Sequence, residues 1–343
     1  MIYAITPNPA LDLGGLVERL VPEEKAYVQD ETRAPGGNAI NAARMIRRLG
    51  APVVATGFLG GGVGEEIEHF LDHEQVAHQF VHITGNTRIN VTISNHETHL
   101  QTRLSFPGPR IRAPEKAMLL RQACETAEPT LVVIGGSLPP GFTPADLRRL
   151  ILGVRKRGLP CLVDVPGPVL REVLSARPSF IKPNLVEFQE LIGRKVTTID
   201  AVRKVARTLL DQVPLICVSS IEGGALLITR QATWFGRIPP VRISSTVGAG
   251  DSMVGAISAR LWQELRRDRR QTPRSGTKSG MNSAKKAKPG SGARIEPGPE
   301  ATGELLRWGL AAACATLTHT GTRLGSAREV RRYLPEIRLR RIC

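Results

Sequence analysis

The stretch STVGAGDSMVGA, Ser245 to Ala256, sets three small residues, Gly248, Ala249 and Gly250, in front of a lone carboxylate, Asp251. An apolar run follows at once, so the acid sits at the mouth of a helix. The leading N–H groups of a helix lack internal partners, and the helix dipole is positive at that end. Small residues let those N–H groups approach an anion closely. The arrangement suits the negative charge that develops on a transferring phosphoryl group. Asp251 beside it could take the proton of an attacking hydroxyl. The plainer reading, that Asp251 is an N-cap, stays open. The chain has no GxxxxGK[ST], so a nucleotide site must be built without the usual P-loop.

Three further groups of residues could do chemistry. In APGGNAINAARMIRRLG, Gly36 and Gly37 precede a helix with Ile40, Ala43, Ile46 and Leu49 on one face. Asn38 and Asn41 at its start could hydrogen-bond a polyol that the glycines let approach; a simple loop and cap reads equally well. In KPNLVEF, Lys182 and Asn184 follow an apolar strand, at the end where α/β proteins bind ligands. Asn184 and Glu187, three apart, could hold Mg²⁺ through water, or form a cap beside a surface acid. Asp12, in NPALD, could accept two hydroxyls, and Arg88 and Lys25 are cations suited to a phosphate on the substrate. His69, His73 and His78 do not fit HExxH, and no GxSxG suggests a hydrolase.

The elements that must position these residues read as α/β. Continuous apolar runs such as TLVVIGGS and PCLVDVPG alternate with amphipathic ones such as TPADLRRLILGVRKRG. That pattern means βαβ units and a mostly parallel sheet covered on both faces. Thr143 followed by Pro144 marks a helix start, and Gly158 a stop. The segment TRINVTISNHETHLQTRLSF breaks the pattern. Ile89, Val91 and Ile93 alternate with polar residues, which predicts a strand wet on one face. HETH turns it into a second strand, and AYVQDETRAPGG adds another, giving a small antiparallel sheet that could cover a site or pair with another subunit.

The chain has 343 residues, 41% hydrophobic, enough for a sizeable core. No apolar run of about 18 residues predicts a membrane span, and the start reads as a buried strand rather than a leader. Five scattered cysteines without a CxxC pair fit reduced thiols and a cytoplasmic protein. The formal net charge is +16. Much of it lies in residues 266–300, a Gly, Ser, Pro, Lys and Arg-rich stretch read as a disordered insert. More lies in Arg328, Arg331, Arg332, Arg338, Arg340 and Arg341. Both read as solvated tails; the sharper alternative is a nucleic acid or acidic partner, which no zinc-finger or RNA-binding motif supports.

NPALD, PGGNAIN, TRIN, GGSLPPG, IKPNLVEF and STVGAGDSMVGA, in this order and spacing, resemble the PfkB carbohydrate kinases with their ribokinase-like fold. The likeness runs from Met1 to about Leu334 outside residues 266–300. It is greatest to the phosphosugar branch: the minor 6-phosphofructokinases, the 1-phosphofructokinases and the tagatose-6-phosphate kinases. GTRLGS near the end favours the first of these. The resemblance implies a single domain over 1–343, a three-layer α/β/α body with a β-lid from 12–34 and 86–108. It implies transfer of phosphate from ATP with Mg²⁺ to fructose 6-phosphate, giving fructose 1,6-bisphosphate. It assigns Asp251 as base and Gly248, Ala249 and Gly250 as anion hole. Asp12, Lys25, Gly37, Asn38, Asn41, Arg88 and Ser137 fall to the phosphosugar. Lys182, Asn184, Ser219, Gly224 and Thr246 fall to the nucleotide, and Asn184 with Glu187 to Mg²⁺. A monovalent cation at Ser245 and Val247 and a homodimer through the lid are implied too. GGNAIN departs from the family's GGKGIN or GGGGIN, DVPGPVL from its D-[ST]-[SN]-G-E-x-L, and Ala313 stands where a glycine is common.

Overall fold

The computed structural model describes residues 1–125, 129–271 and 295–342. Strand Ile2–Thr6 lies parallel to Val53–Leu59 on one side and Leu131–Gly135 on the other. Cys161–Asp164, Phe180–Ile181 and Leu215–Ile221 continue the parallel order outward. Gly224–Ile228, Thr233–Arg237 and Arg338–Ile342 then close the sheet as antiparallel strands.

Alternation along each strand feeds two cores, one on each face. Ile2, Ala4, Leu131 and Val133 pack into the core shared with helices Asn38–Arg48, Ala249–Gln271 and Pro299–Leu317. Tyr3, Ile5, Val132 and Ile134 pack into the other, against helices Ala113–Glu125, Pro144–Lys156 and Ile199–Thr208. The body is thus a three-layer α/β/α sandwich. Helix Pro144–Lys156 begins at Thr143, whose hydroxyl accepts the Asp146 N–H in a capping box, and Gly158 follows it with φ +72°.

A separate four-stranded sheet runs in the order Gln29–Gly36, Ala10–Val17, Arg88–Asn95, Gln101–Leu104. The expected antiparallel arrangement needs correction, because its two central strands are parallel. Both leave the body at their N-terminal ends, Ala10 four residues after Thr6, so they run outward together. Nor is one face of Arg88–Asn95 dry: Ile89, Val91 and Ile93 are half-buried, and Thr92 is the buried residue.

Both ends of the stretch expected as an insert over 266–300 are structured. Helix Ala249–Gln271 runs through Arg266, whose guanidinium lies 5.1 Å from the Trp262 ring centroid. Ile295 is 4% exposed in the core, and the next helix starts at Pro299. An aromatic ring under an arginine stem keeps the helix going where composition alone suggests a break. Residues 272–294 lie outside the described residues. The basic C-terminal cluster is not a tail either. Arg328, Arg331 and Arg332 lie on helix Ala327–Tyr333, and Arg338, Arg340 and Arg341 on the last sheet strand. Val330 and Ile337, both buried, hold this segment down.

Candidate active site

The carboxyl ends of the parallel strands and the lid enclose a cleft of about 1110 Å³. Asp12, Gly37, Asn38, Asn41, Arg88, Ser137, Lys182, Asn184, Glu187, Thr246, Val247, Gly248, Gly250 and Asp251 all line it. They come from six separate stretches of chain.

Asp251 is the third residue of helix Ala249–Gln271, not its N-cap. Its Oδ2 accepts a hydrogen bond from Asn41 Nδ2 at 2.8 Å, so the second glycine loop and the GAGD turn meet here. Burial pushes its pKa up to about 7, with repulsion from Asp164 adding to it and the Asn41 bond opposing it. Gly248 has φ +74°, a conformation that favours glycine, and a Cβ there would press on Leu324 Cδ2 at 2.6 Å. A Cβ at Gly250 would come 3.3 Å from Lys182 Nζ, so the ammonium reaches over the first turn of the helix.

Lys182 is itself buried and pairs with Asp164, Nζ to Oδ1 at 3.3 Å. Burial alone would lower its pKa, but the nearby carboxylates, Asp164 foremost, raise it to about 12. The lysine is therefore charged at neutral pH. The other oxygen of Asp164 accepts from Asn38 Nδ2 at 3.5 Å.

On the side of the four-stranded sheet, Asp12 Oδ1 accepts from Asn90 Nδ2 at 3.0 Å, and burial raises the pKa of Asp12. Its carboxylate fills the space where a Gly36 Cβ would be, at 2.3 to 2.6 Å. Arg88 donates to the carbonyls of Phe106 and Asn8 at 2.7 and 2.9 Å and to Ser137 Oγ at 3.2 Å. Arg103, from the outer strand of the small sheet, donates to Thr246 Oγ1 at 2.9 Å and ties that sheet to the turn before Gly248.

Asn184 and Glu187 form a capping box: each side chain accepts the other's backbone N–H at 2.9 Å. The cap reading of the sequence is realised, and both residues still line the cleft. Burial raises the pKa of Glu187, and Asp164 raises it further, so these two acids repel each other.

Five predicted residues are not on the cleft wall, the buried Ser245 among them. Ala249 is buried in the helix start. Lys25 is exposed, with its ammonium 4.7 Å from the Tyr27 ring centroid. Ser219 pairs with Asn184 through a parallel bridge next door. Gly224 lies in the following hairpin, where a Cβ would strike the Gly236 carbonyl oxygen. Conversely, Asn8, Asn90, Arg103 and Asp164 line the cleft and were not singled out. Asn8 and Asn90 stand inside NPALD and TRIN, which is a signal; nothing local marks Arg103.

A model of the family described as pfkB family carbohydrate kinase matches residues 7–295. Among curated proteins, the chain is 35% identical over 263 residues to ATP-dependent 6-phosphofructokinase isozyme 2 of Escherichia coli, covering 76% of this chain and 85% of that one. It is 30% identical over 266 residues to 1-phosphofructokinase of Bacillus subtilis, covering 77% and 87%. The crystal structure of Escherichia coli phosphofructokinase-2 with potassium superposes with a TM-score of 0.83 at 30% identity, covering 97% of this chain and 98% of that one. A possible 1-phosphofructokinase from Thermotoga maritima, at 24% identity over the full length of both chains, shares the fold with a TM-score of 0.82. The chain belongs to the pfkB family of carbohydrate kinases.

Proposed function

We propose that this kinase transfers the γ-phosphoryl group of ATP to the C1 hydroxyl of fructose 6-phosphate. The observation that carries it is the meeting of Asp251 and Asn41 at the GAG turn, 2.8 Å apart, in one cleft with Arg88 and Ser137. Asp251 takes the hydroxyl proton as the oxygen attacks phosphorus. The bond from the γ-phosphorus to its bridging oxygen breaks, leaving ADP and fructose 1,6-bisphosphate. N–H groups at the helix start and the Lys182 ammonium stabilise the charge on the moving phosphoryl. Asp12 and the buried oxygens Asn8 Oδ1 and Asn90 Oδ1, which take no hydrogen bond, are acceptors for sugar hydroxyls.

The oxygen donors at this end of the cleft suit Mg²⁺. Among the described residues no three His, Cys, Asp or Glu side chains could cage a metal, so Asn184 and Glu187 would hold it through water and nucleotide phosphate. Bound there, Mg²⁺ would neutralise phosphate charge and relieve the repulsion between Glu187 and Asp164. Ser219, Gly224 and Thr246 are assigned to the nucleotide on the same reading. Ser245 and Val247, joined by an N–H to Oγ bond of 3.2 Å, would flank a monovalent cation behind the anion hole.

A coupled ADP-release assay with fructose 6-phosphate, fructose 1-phosphate and tagatose 6-phosphate tests the reaction, run in potassium and in sodium salts to test the cation. Preference for fructose 6-phosphate supports the proposal; preference for either rival, or equal rates in both salts, removes the corresponding part. Arg88→Ala is expected to raise KM for the phosphosugar by about tenfold or more with little change in KM for ATP, because a charged hydrogen bond contributes about 1.5–3 kcal/mol. Equal effects on both KM values would place Arg88 in the scaffold alone.

A homodimer through the lid belongs to the same reading. Tyr27, Val28, Leu100 and Leu104 expose 73, 52, 69 and 53% of their surface on or beside the lid. Lys25 would then face a partner rather than its own cleft. Sedimentation as a monomer at working concentration would remove this. A cytoplasmic location is part of the reading as well, resting on the free thiols of Cys161, Cys217 and Cys314. No helix among the described residues is long and apolar enough to cross a membrane.

A further inference from the structure

The far edge of the main sheet carries a second concentration of charge, outside the cleft. In the pairing of Thr233–Arg237 with Arg338–Ile342, Arg237 stands opposite Arg338 and Phe235 opposite Arg340. Alternate residues of a strand share a face, so these four side chains share one. The guanidinium carbons of Arg237 and Arg340 lie 5.5 and 5.2 Å from the centroid of the one Phe235 ring. With Leu339, the three arginines and Phe235 line a groove of about 410 Å³. Arg237 is paired with Glu222 at 3.0 Å, whereas Arg338 and Arg340 have no carboxylate partner among the described residues. Like charges directly opposite on a sheet repel each other. The groove is short of negative charge.

Its neighbour is the turn assigned to the nucleotide. Gly224 pairs directly with Arg237 in the sheet, and Glu222 sits between Ser219 and Gly224. Ser220, Glu222 and Gly223 all have positive φ, at 59, 45 and 71°. A non-glycine residue held there costs on the order of 1–3 kcal/mol. The Arg237–Glu222 ion pair links this turn to the arginine strand through side chains. An anion in the groove would compete with Glu222 for Arg237 and let the turn shift.

The geometry points to the groove of Arg237, Arg338 and Arg340 as a regulatory site for a small ligand carrying two phosphate groups, which weakens nucleotide binding through Glu222. Paired phosphates match forked guanidinium donors, and the volume is that of a small-molecule pocket. A nucleic acid strand fits less well. Phe235, at 3% exposure beneath two guanidiniums, presents no face for a base to stack on. The coupling rests on the proposed nucleotide role of Ser219 and Gly224; the site itself does not.

The experiment is isothermal titration of the full chain with inorganic pyrophosphate in low salt without Mg²⁺, beside Arg338→Ala/Arg340→Ala. Both side chains are exposed, so the variant is expected to melt as wild type does, and its turnover should be unchanged. Wild type should bind one more pyrophosphate per chain than the variant, and that site should weaken as salt is raised. Equal stoichiometry would overturn the site. For the coupling, pyrophosphate at the groove should weaken ADP binding about fivefold more in wild type than in the variant. Equal weakening in both would overturn the regulation. If ADP bound neither protein, the nucleotide assignment and the coupling would fall together, while the stoichiometry would still decide the groove.

Discussion

Asp251→Asn is expected to lower kcat by about 10²- to 10⁴-fold, the usual contribution of a general base, with KM for both substrates changed only a few-fold. The amide can keep a hydrogen bond with Asn41 but cannot accept the proton. The wild-type rate should rise with pH through about 7, because only the ionised carboxylate acts as base and its pKa stands there. In the variant that rise should vanish. Stability should move the other way. A carboxyl whose folded pKa is raised above its ordinary 3.8 binds protons better in the native state, so its ionisation destabilises the fold. The penalty grows as pH rises from about 4 through about 7. Asp251→Asn should therefore melt at a higher temperature than wild type at pH 8 and show little difference at pH 4. A variant that keeps the pH dependence of the rate would assign the titration to another group. A variant that loses stability at pH 8 would show that Asp251 belongs to the scaffold.

Much of this site was legible because it is local. The GAGD turn needs only a helix start, small residues and an acid, and all are adjacent in the chain. The glycine loop before Asn41 is local in the same way. In KPNLVEF the capping box forms as the cap reading expects, and Asn184 and Glu187 also line the cleft. Contacts set by strand order were not legible. Asp164 ends one strand and Lys182 follows the next, and only the parallel pairing of Cys161–Asp164 with Phe180–Ile181 makes them neighbours. A carboxylate and a lysine closing successive apolar strands is the signal that could have found them, since ligands gather at that edge. Arg103 depends on where the lid closes, and no run of residues encodes that. The lid's parallel central pair was missed for a related reason: period-two patterning marks a strand but carries no information on its direction. Arg266 shows the limit of composition, because one aromatic ring beneath a guanidinium extends a helix into a stretch that reads as unstructured.

Lys182→Met is expected to lose turnover and stability together, for two separable reasons. The lysine side chain is 6% exposed and that of its partner Asp164 is 9% exposed. Removing one member of a buried pair leaves an uncompensated charge, and such changes cost about 3–5 kcal/mol. Denaturant unfolding at pH 7 should register that loss. In wild type the pair's contribution should persist below pH about 10.5 and fade as pH rises through about 12, because the folded pKa of Lys182 is raised. The double variant Asp164→Asn/Lys182→Met removes the stranded charge and should recover most of the stability. Turnover should not return with it. The Lys182 ammonium lies 3.3 Å from where a Cβ on Gly250 would stand, at the first turn of the helix, and on the proposed reading an apolar side chain there would offer no charge to the moving phosphoryl. Recovery of turnover along with stability would mean that Lys182 acts only by neutralising Asp164. Loss of turnover in a double variant as stable as wild type would place the ammonium in the chemical step.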